Sequence, residues 1–295
     1  MLKLHKSPTL LNMPIGVANQ ILEKLELLDL LTSRKVCKSL RAAVDKFGID
    51  IDFVKFQVDG FAELNLNGQK IKYAENGENF ISIAFKDLEL LLKNSISTLE
   101  LFMPEHVPLL LEVLRKAGPV HTEHIKLSRF SIEEAHSILP YFNAQKLEKI
   151  EIFLAQSSEG FDRIRDLEQW KNLKSFTFYS IAAPLGKEQI EHMFRFENFN
   201  IAVDKFLVQD AIRIRDDLLH RSAFQSCIIS FRDSNSTPKE IAKVFNSDEE
   251  EDFLWTNDSH TFRITIFDEV FSCSIRTFDY AEQFSNRKKK FFIRF

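Results

Sequence analysis

One pattern restricts this chain more than any other: apolar-x-x-apolar-x-apolar. It fits Ile96-Leu99-Leu101, Leu147-Ile150-Ile152, Leu173-Phe176-Phe178, Val203-Phe206-Val208 and Phe224-Cys227-Ile229, with a looser match at Thr122-Ile125-Leu127. The middle positions stand about 21 to 30 residues apart, the period of stacked supersecondary units. Helix candidates fill the gaps: Val107 to Lys116, Ile132 to Tyr141, Gly160 to Gln169, Lys187 to Phe194 and Ala211 to Arg221. Ser131 can cap the second of these, with Glu134 at capping-box distance. One strand and one helix per unit predicts parallel strands in one sheet with helices on its outer side. Each unit would leave an apolar face open until the next one stacks on it.

The period resembles that of leucine-rich repeats, but the Asn that lines their turn is missing: Ala155 and Ile181 stand in its place. The expectation is therefore an irregular leucine-rich-repeat-like α/β solenoid, against the alternative of a non-repeating α/β domain whose strands share this spacing. Residues between the core positions of such strands face outward. That puts Glu100, Lys126, Glu151, Thr177, Leu207 and Ile228 on one face, with Phe153 and Tyr179 two residues on from Glu151 and Thr177. Mixed charge with apolar and aromatic members suits a protein or peptide partner. Ahead of the repeats, Ile51, Phe53, Phe56 and Val58 begin a run of strands, Asn67-Gly68 signals a hairpin, and Ala84 to Lys93 reads as a helix. After them, Phe262, Ile264 and Ile266 alternate, then Phe271, Cys273 and Ile275, which predicts a C-terminal β-hairpin turning at Asp268-Glu269. Phe291 to Phe295 can add a last strand. The 29 Phe among 295 residues, beside only 8 Gly, fit packed sheet.

The stretch from Leu10 to Phe47 keeps a helical period instead. Pro14 can occupy a first helical turn. Val17, Ile21, Leu25 and Leu28 then share one face, while Leu22 and Leu27 lie off it. Asp29 can cap a short second helix holding Leu30 and Leu31. Thr32 or Ser33 can cap a third that aligns Val36, Leu40, Val44 and Phe47. About forty residues cannot close a core around that much apolar surface. One reading is a helical cap on the repeats; the other is a surface held open for a partner.

The order Met13-Pro14, Ile21-Leu22, Leu25, Asp29-Leu30-Leu31, Arg34, Val36-Cys37-Lys38, Leu40-Arg41 resembles an F-box. Met13 stands where that family usually has Leu, and Leu40 where many members carry Trp. The layout of the rest resembles the FTH domain that follows the F-box in a nematode-type family. The resemblance implies an α+β or α/β chain divided into residues 1–50, a three-helix F-box, and residues 51–295, an FTH-like repeat domain that holds a target. It implies a partner as well: the Skp-type adaptor and, through it, a cullin of a ubiquitin ligase. Leu11, Met13, Pro14, Val17, Ile21, Leu25, Leu31, Val36, Cys37 and Leu40 would pack against the adaptor or hold the helices together. The chain would be a target receptor without catalysis of its own, with a non-ligase interaction scaffold as the alternative.

Other function classes find little support. No P-loop, dinucleotide-binding or nucleophile-elbow motif occurs. His121, Glu123 and His124 invite a metal reading but lack a third ligand nearby, so a surface turn is the expectation; neither a metal nor a cofactor is expected. The run Asp248 to Asp252 lacks the Gly of a calcium loop and reads as solvated. A net charge of −4 argues against nucleic acid, and no apolar run is long enough for a membrane span. Cys37, Cys227 and Cys273 are scattered, as in reduced cytoplasmic or nuclear proteins. Arg287 to Lys290 can serve import or phosphate contact, or can keep two sticky strands from aggregating.

Overall fold

The computed structural model describes residues 15–47, 50–73, 80–103, 105–153, 157–180, 182–234, 236–267 and 269–276. The fold is mixed α/β, in two compact units: Met1–Glu148 with Asp162–Asn172, and Lys149–Phe161 with Leu173–Phe295.

In the first unit, three helices come first: α1 (Ile15–Leu22), α2 (Leu27–Val36) and α3 (Lys38–Phe47). Their caps differ from the sequence expectation. Glu26 precedes α2, and Asp29 lies inside its first turn, where a carboxylate suits the positive end of the helix. Thr32 and Ser33 sit within α2, because the apolar period of Leu27, Leu30 and Leu31 carries through them. The break falls at Cys37, whose backbone is extended at φ −158 and ψ 163. Its Sγ accepts the Leu40 N–H at 3.4 Å and so opens α3. Val36 therefore ends α2 and does not join the stripe of α3.

Strands β1 (Asp50–Val58), β2 (Ala62–Leu66) and β3 (Gln69–Tyr73) pair with one another in that order, antiparallel. The turn between β2 and β3 is Asn67-Gly68, with φ of 49 and 92, the paired positive values that a two-residue hairpin of this twist needs. Next come α4 (Phe80–Leu91), β4 (Ser95–Phe102), α5 (Val107–Ala117), β5 (His121–Ser128) and α6 (Ile132–Ile138). Strands β1, β4 and β5 are parallel, giving the order β3-β2-β1-β4-β5. The Ser131 hydroxyl accepts the Glu134 N–H at 3.2 Å while Glu134 accepts the Ser131 N–H at 2.8 Å, a complete capping box. His121 and His124 lie in β5, not in a surface turn, because Thr122, Ile125 and Leu127 of the same segment are buried. The helix expected over Gly160 to Gln169 is two short ones, α7 (Phe161–Arg165) and α8 (Glu168–Lys171). The break at Leu167 lets both Ile164 and Trp170 be buried; one continuous helix would turn them to different sides.

The second unit holds β6 (Lys149–Phe153), β7 (Ser175–Tyr179), a 3-10 helix (Lys187–Met193), β8 (Asn198–Lys205), α9 (Val208–Leu218), β9 (Ser226–Asp233), α10 (Pro238–Val244), β10 (Asp252–Thr256), β11 (Thr261–Phe267) and β12 (Val270–Ile275). Strands β6 to β9 are parallel neighbours; β12, β11 and β10 continue antiparallel from β9. The β11–β12 hairpin pairs as its alternation requires. Asp268 and the segment Phe291 to Phe295 lie outside the described residues.

The template residues are the core. Ile51-Val54-Phe56, Ile96-Leu99-Leu101, Leu147-Ile150-Ile152, Leu173-Phe176-Phe178 and Phe224-Cys227-Ile229 are all buried. One expected match is misplaced: β8 carries the template as Phe196-Phe199-Ile201, not Val203-Phe206-Val208. The Asp210 carboxylate accepts the Leu207 N–H at 2.9 Å and turns the chain into α9 just beyond Phe206. Phe206 is still buried, against Phe231 and Phe271 at 5.4 and 5.1 Å between ring centroids. Full burial of one such side chain contributes about 1.5–3 kcal/mol, so these rows dominate the stability of each unit.

Candidate functional site

The three N-terminal helices present two kinds of apolar residue. Leu22, Leu30 and Val44 are buried and hold the helices together. Val17, Ile21 and Val36 are 44%, 39% and 69% exposed. Cys37 is exposed too, and Leu25, Leu31 and Leu40 are half-buried. Leu11, Met13 and Pro14 lie outside the described residues. The module is tied to the hairpin by Gln69, whose Nε2 donates to Glu26 at 2.5 Å. A short module that buries one apolar set and shows another has the form of a docking surface, since exposed apolar clusters mark interaction sites.

The outward strand residues are a second candidate. In the first unit Lys55, Glu100 and Lys126 lie side by side across β1, β4 and β5. Glu100 stands between the two amines at 4.0 and 3.4 Å and neutralises part of their charge. At the end of the same strands Arg129 stacks on Phe102, 5.1 Å from the ring centroid, and pairs with Asp59 at 3.7 Å. Nothing in the spacing of the sequence pointed to this cluster.

In the second unit Glu151 pairs with Lys149 at 2.5 Å, and the rings of Phe153 and Tyr179 lie 6.4 Å apart. Ile228 is 41% exposed. Two expected members do not belong. Thr177 is only 7% exposed, a short side chain in register between Glu151 and Asn200. Leu207 is not on a strand at all; it precedes α9. No pattern in the sequence singles out Asn198 and Ser226, which join neighbouring strands through a hydrogen bond of 2.8 Å. At the far edge Arg263 grips Asp252 with two bonds of 2.9 and 2.5 Å, which holds that carboxyl below its ordinary range.

The acidic run is exposed, with Glu250 paired to Lys239 at 3.4 Å. The basic residues Arg287 to Lys290 lie outside the described residues. Among the described residues no group of three or more His, Cys, Asp or Glu side chains could hold a metal, and no helix is long and apolar enough to cross a membrane. Cys227 and Cys273 face each other across β9 and β12, both buried, and burial pushes the Cys273 thiol well above its usual range.

Comparison with known proteins agrees with this layout. A family model for the F-box domain matches residues 10–52, which include all three N-terminal helices. A model for the FTH domain matches residues 104–248, the run from α5 through α10. The chain is 25% identical to F-box A protein 224 of Caenorhabditis elegans over 85% of its own length and 75% of that protein's. The exposed apolar helices and the strand–helix array that follows them are thus those of an F-box protein with a C-terminal FTH domain.

Proposed function

We propose that this chain is the target-recognition subunit of a Skp–cullin–F-box ubiquitin ligase. The observation that carries the reading is the exposure of Val17, Ile21 and Val36 on helices matched by the F-box model. These side chains, with Cys37, Leu25, Leu31 and Leu40 around them, form the adaptor surface, and the F-box resemblance adds Leu11, Met13 and Pro14 to the adaptor-binding set. A few apolar anchors in an interface of roughly 1,600 Å² suffice for stable binding. The strand–helix units act as an irregular leucine-rich-repeat-like array that presents the target surface. In the first unit that surface is Glu100 and Lys126; in the second it is Glu151, Phe153, Tyr179 and Ile228. The chain supplies no reacting group. It holds a lysine-bearing target close to a ubiquitin-loaded enzyme brought by the other subunits, and proximity replaces a diffusive encounter.

Capture by a purified Skp-type adaptor tests the first step. Val17→Asp with Val36→Asp should cut capture at least about a hundredfold, because each buries a charge in an apolar interface. Circular dichroism should stay unchanged, since both side chains face solvent. Undiminished capture by the folded double variant overturns the proposal. Reconstituted transfer of ubiquitin to a bound target then separates a ligase receptor from a scaffold.

A further inference from the structure

Strand β10 is the outer strand of the second unit's sheet and pairs with β11 on one side. The Glu251 carbonyl accepts the Ile266 N–H at 2.8 Å, and the Asn257 N–H donates to the His260 carbonyl at 3.0 Å. Backbone groups of an antiparallel strand alternate in direction, so Glu251, Phe253, Trp255 and Asn257 turn theirs toward β11. Asp252, Leu254 and Thr256 turn theirs away, and among the described residues nothing bonds to these groups. Such an edge is a template for another strand, and proteins blunt it with Lys, Pro or a bulge. The outer strand of the first unit follows that rule, with Lys70 and Lys72 exposed on β3. Strand β10 has no Lys, Pro or Gly, its ladder with β11 runs without a bulge, and Leu254 at its centre is 51% exposed.

Charge selects the occupant. Asp248 to Asp252 lead into β10, all of them exposed. Lys239 pairs with Glu250 and Arg263 with Asp252, while Asp248, Glu249 and Glu251 meet no cation among the described residues. A strand lying parallel to β10 therefore fits best when a cationic run precedes it. This chain carries that order at Arg287-Lys288-Lys289-Lys290, followed by Phe291-Phe292-Ile293-Arg294-Phe295. Strands β12 and β10 point the same way, since both run antiparallel to β11. The Arg276 N–H donates to the Thr261 carbonyl at 2.8 Å, so the chain leaves β12 level with Thr256. It must return along β10 to begin a parallel strand beside Asp252. Three strand spacings and the length of β10 make that path about 22 Å, and residues 277–290 reach ~46 Å when extended. A parallel connection takes a dozen residues or more, which this stretch supplies.

We propose that Phe291 to Phe295 add to β10 as a parallel outermost strand, with Arg287 to Lys290 beside Asp248, Glu249 and Glu251. The backbone groups of the added strand meet those of Asp252, Leu254 and Thr256. By alternation Phe291, Ile293 and Phe295 share the face of the buried Phe253 and Trp255, and Arg294 takes the other face with Leu254. The chain thereby closes its own edge against foreign strands. Strand β10 holds none of the residues assigned to the adaptor or the target, so the proposal does not rest on the ligase reading.

Hydrogen–deuterium exchange on the full chain, read by mass spectrometry against a synthetic peptide of residues 286–295, tests this. The amides of residues 292–295 should exchange at least about tenfold more slowly in the protein, since paired amides must open before they exchange. Leu254→Pro removes an outward N–H, which an edge strand tolerates. It should return those amides to the peptide rate while β11 stays protected. Lys288→Glu, Lys289→Glu and Lys290→Glu combined should do the same. That variant leaves every described residue untouched, so it decides alone if Leu254→Pro does not fold. The protection should be the same at low and high protein concentration. Exchange at the peptide rate in the wild type leaves the edge open to a partner and overturns the proposal. Protection that survives either folded variant puts the segment elsewhere, and protection that grows with concentration gives the edge to a second copy; each overturns it too.

Discussion

Arg221 illustrates how much a single side chain organises. It donates to the carbonyls of Phe194 and Phe196, pairs with Asp217 at 2.7 Å and lies over the Phe224 ring, 4.7 Å from its centroid. It thereby joins the end of α9 to the approach of β8 and the start of β9. Its guanidinium cannot be replaced by an apolar chain without leaving two carbonyls and a carboxylate unmatched. Arg221→Met should cost about 3 kcal/mol in chemical denaturation. Asp217 is subject to two opposed effects. Burial raises its pKa, the Arg221 charge lowers it, and burial prevails, so the value rises from 3.8 to about 6. The folded chain thus holds a proton on Asp217 more readily than the unfolded chain does. Stability from this group is greatest below pH 4, declines as pH rises toward 6, and is level above that. In Asp217→Asn this component should vanish, so the wild type should gain on the variant as pH falls from 6 to 4. A pH-independent difference between the two melting curves would refute the assignment. None of this network was legible in the sequence, because Asp217 and Arg221 read there only as part of a helix.

Elements were more legible, for reasons that differ case by case. Ser131-Glu134 and Asn67-Gly68 act through neighbours in the chain, so their geometry follows from local residue types alone. Ser131→Ala should cost about 1 kcal/mol through the loss of the cap, read from urea denaturation. The break before α3 is not legible at Thr32 or Ser33, because a thiol, a weak acceptor, takes the capping place at Cys37 while both hydroxyl residues continue α2. The register of β8 is ambiguous in the sequence because Val203-Phe206-Val208 and Phe196-Phe199-Ile201 both satisfy the template. Only pairing with β7 and β9 selects the second, and a pairing partner lies far away in sequence. The same long-range information decides that Thr177 is covered and that Leu207 leaves the sheet.

At the scale of the molecule, the helices of residues 15–47 share a compact unit with β1–β5, while the second unit runs on through the C-terminal hairpin. The sequence revealed that the N-terminal helices carry surplus apolar residues. It could not say which would be covered, since Leu22 and Ile21 are adjacent and equally apolar but end up buried and exposed. The distribution of thiols gives a direct readout on the whole chain. Cys37 is exposed, whereas Cys227 and Cys273 are buried. A maleimide should therefore label one site quickly in the folded protein and three only after denaturation. Saturating adaptor should shield Cys37 from the reagent; fast labelling in the presence of bound adaptor would move the docking surface elsewhere. The parallel strands β6 to β9 have a consequence of their own. Each offers its successor the same kind of edge, with the same spacing of buried side chains. Gaining or losing one strand with its crossover would leave the two flanking copies able to meet. A lineage built this way can change the breadth of its recognition surface by copy number, without redesigning any joint.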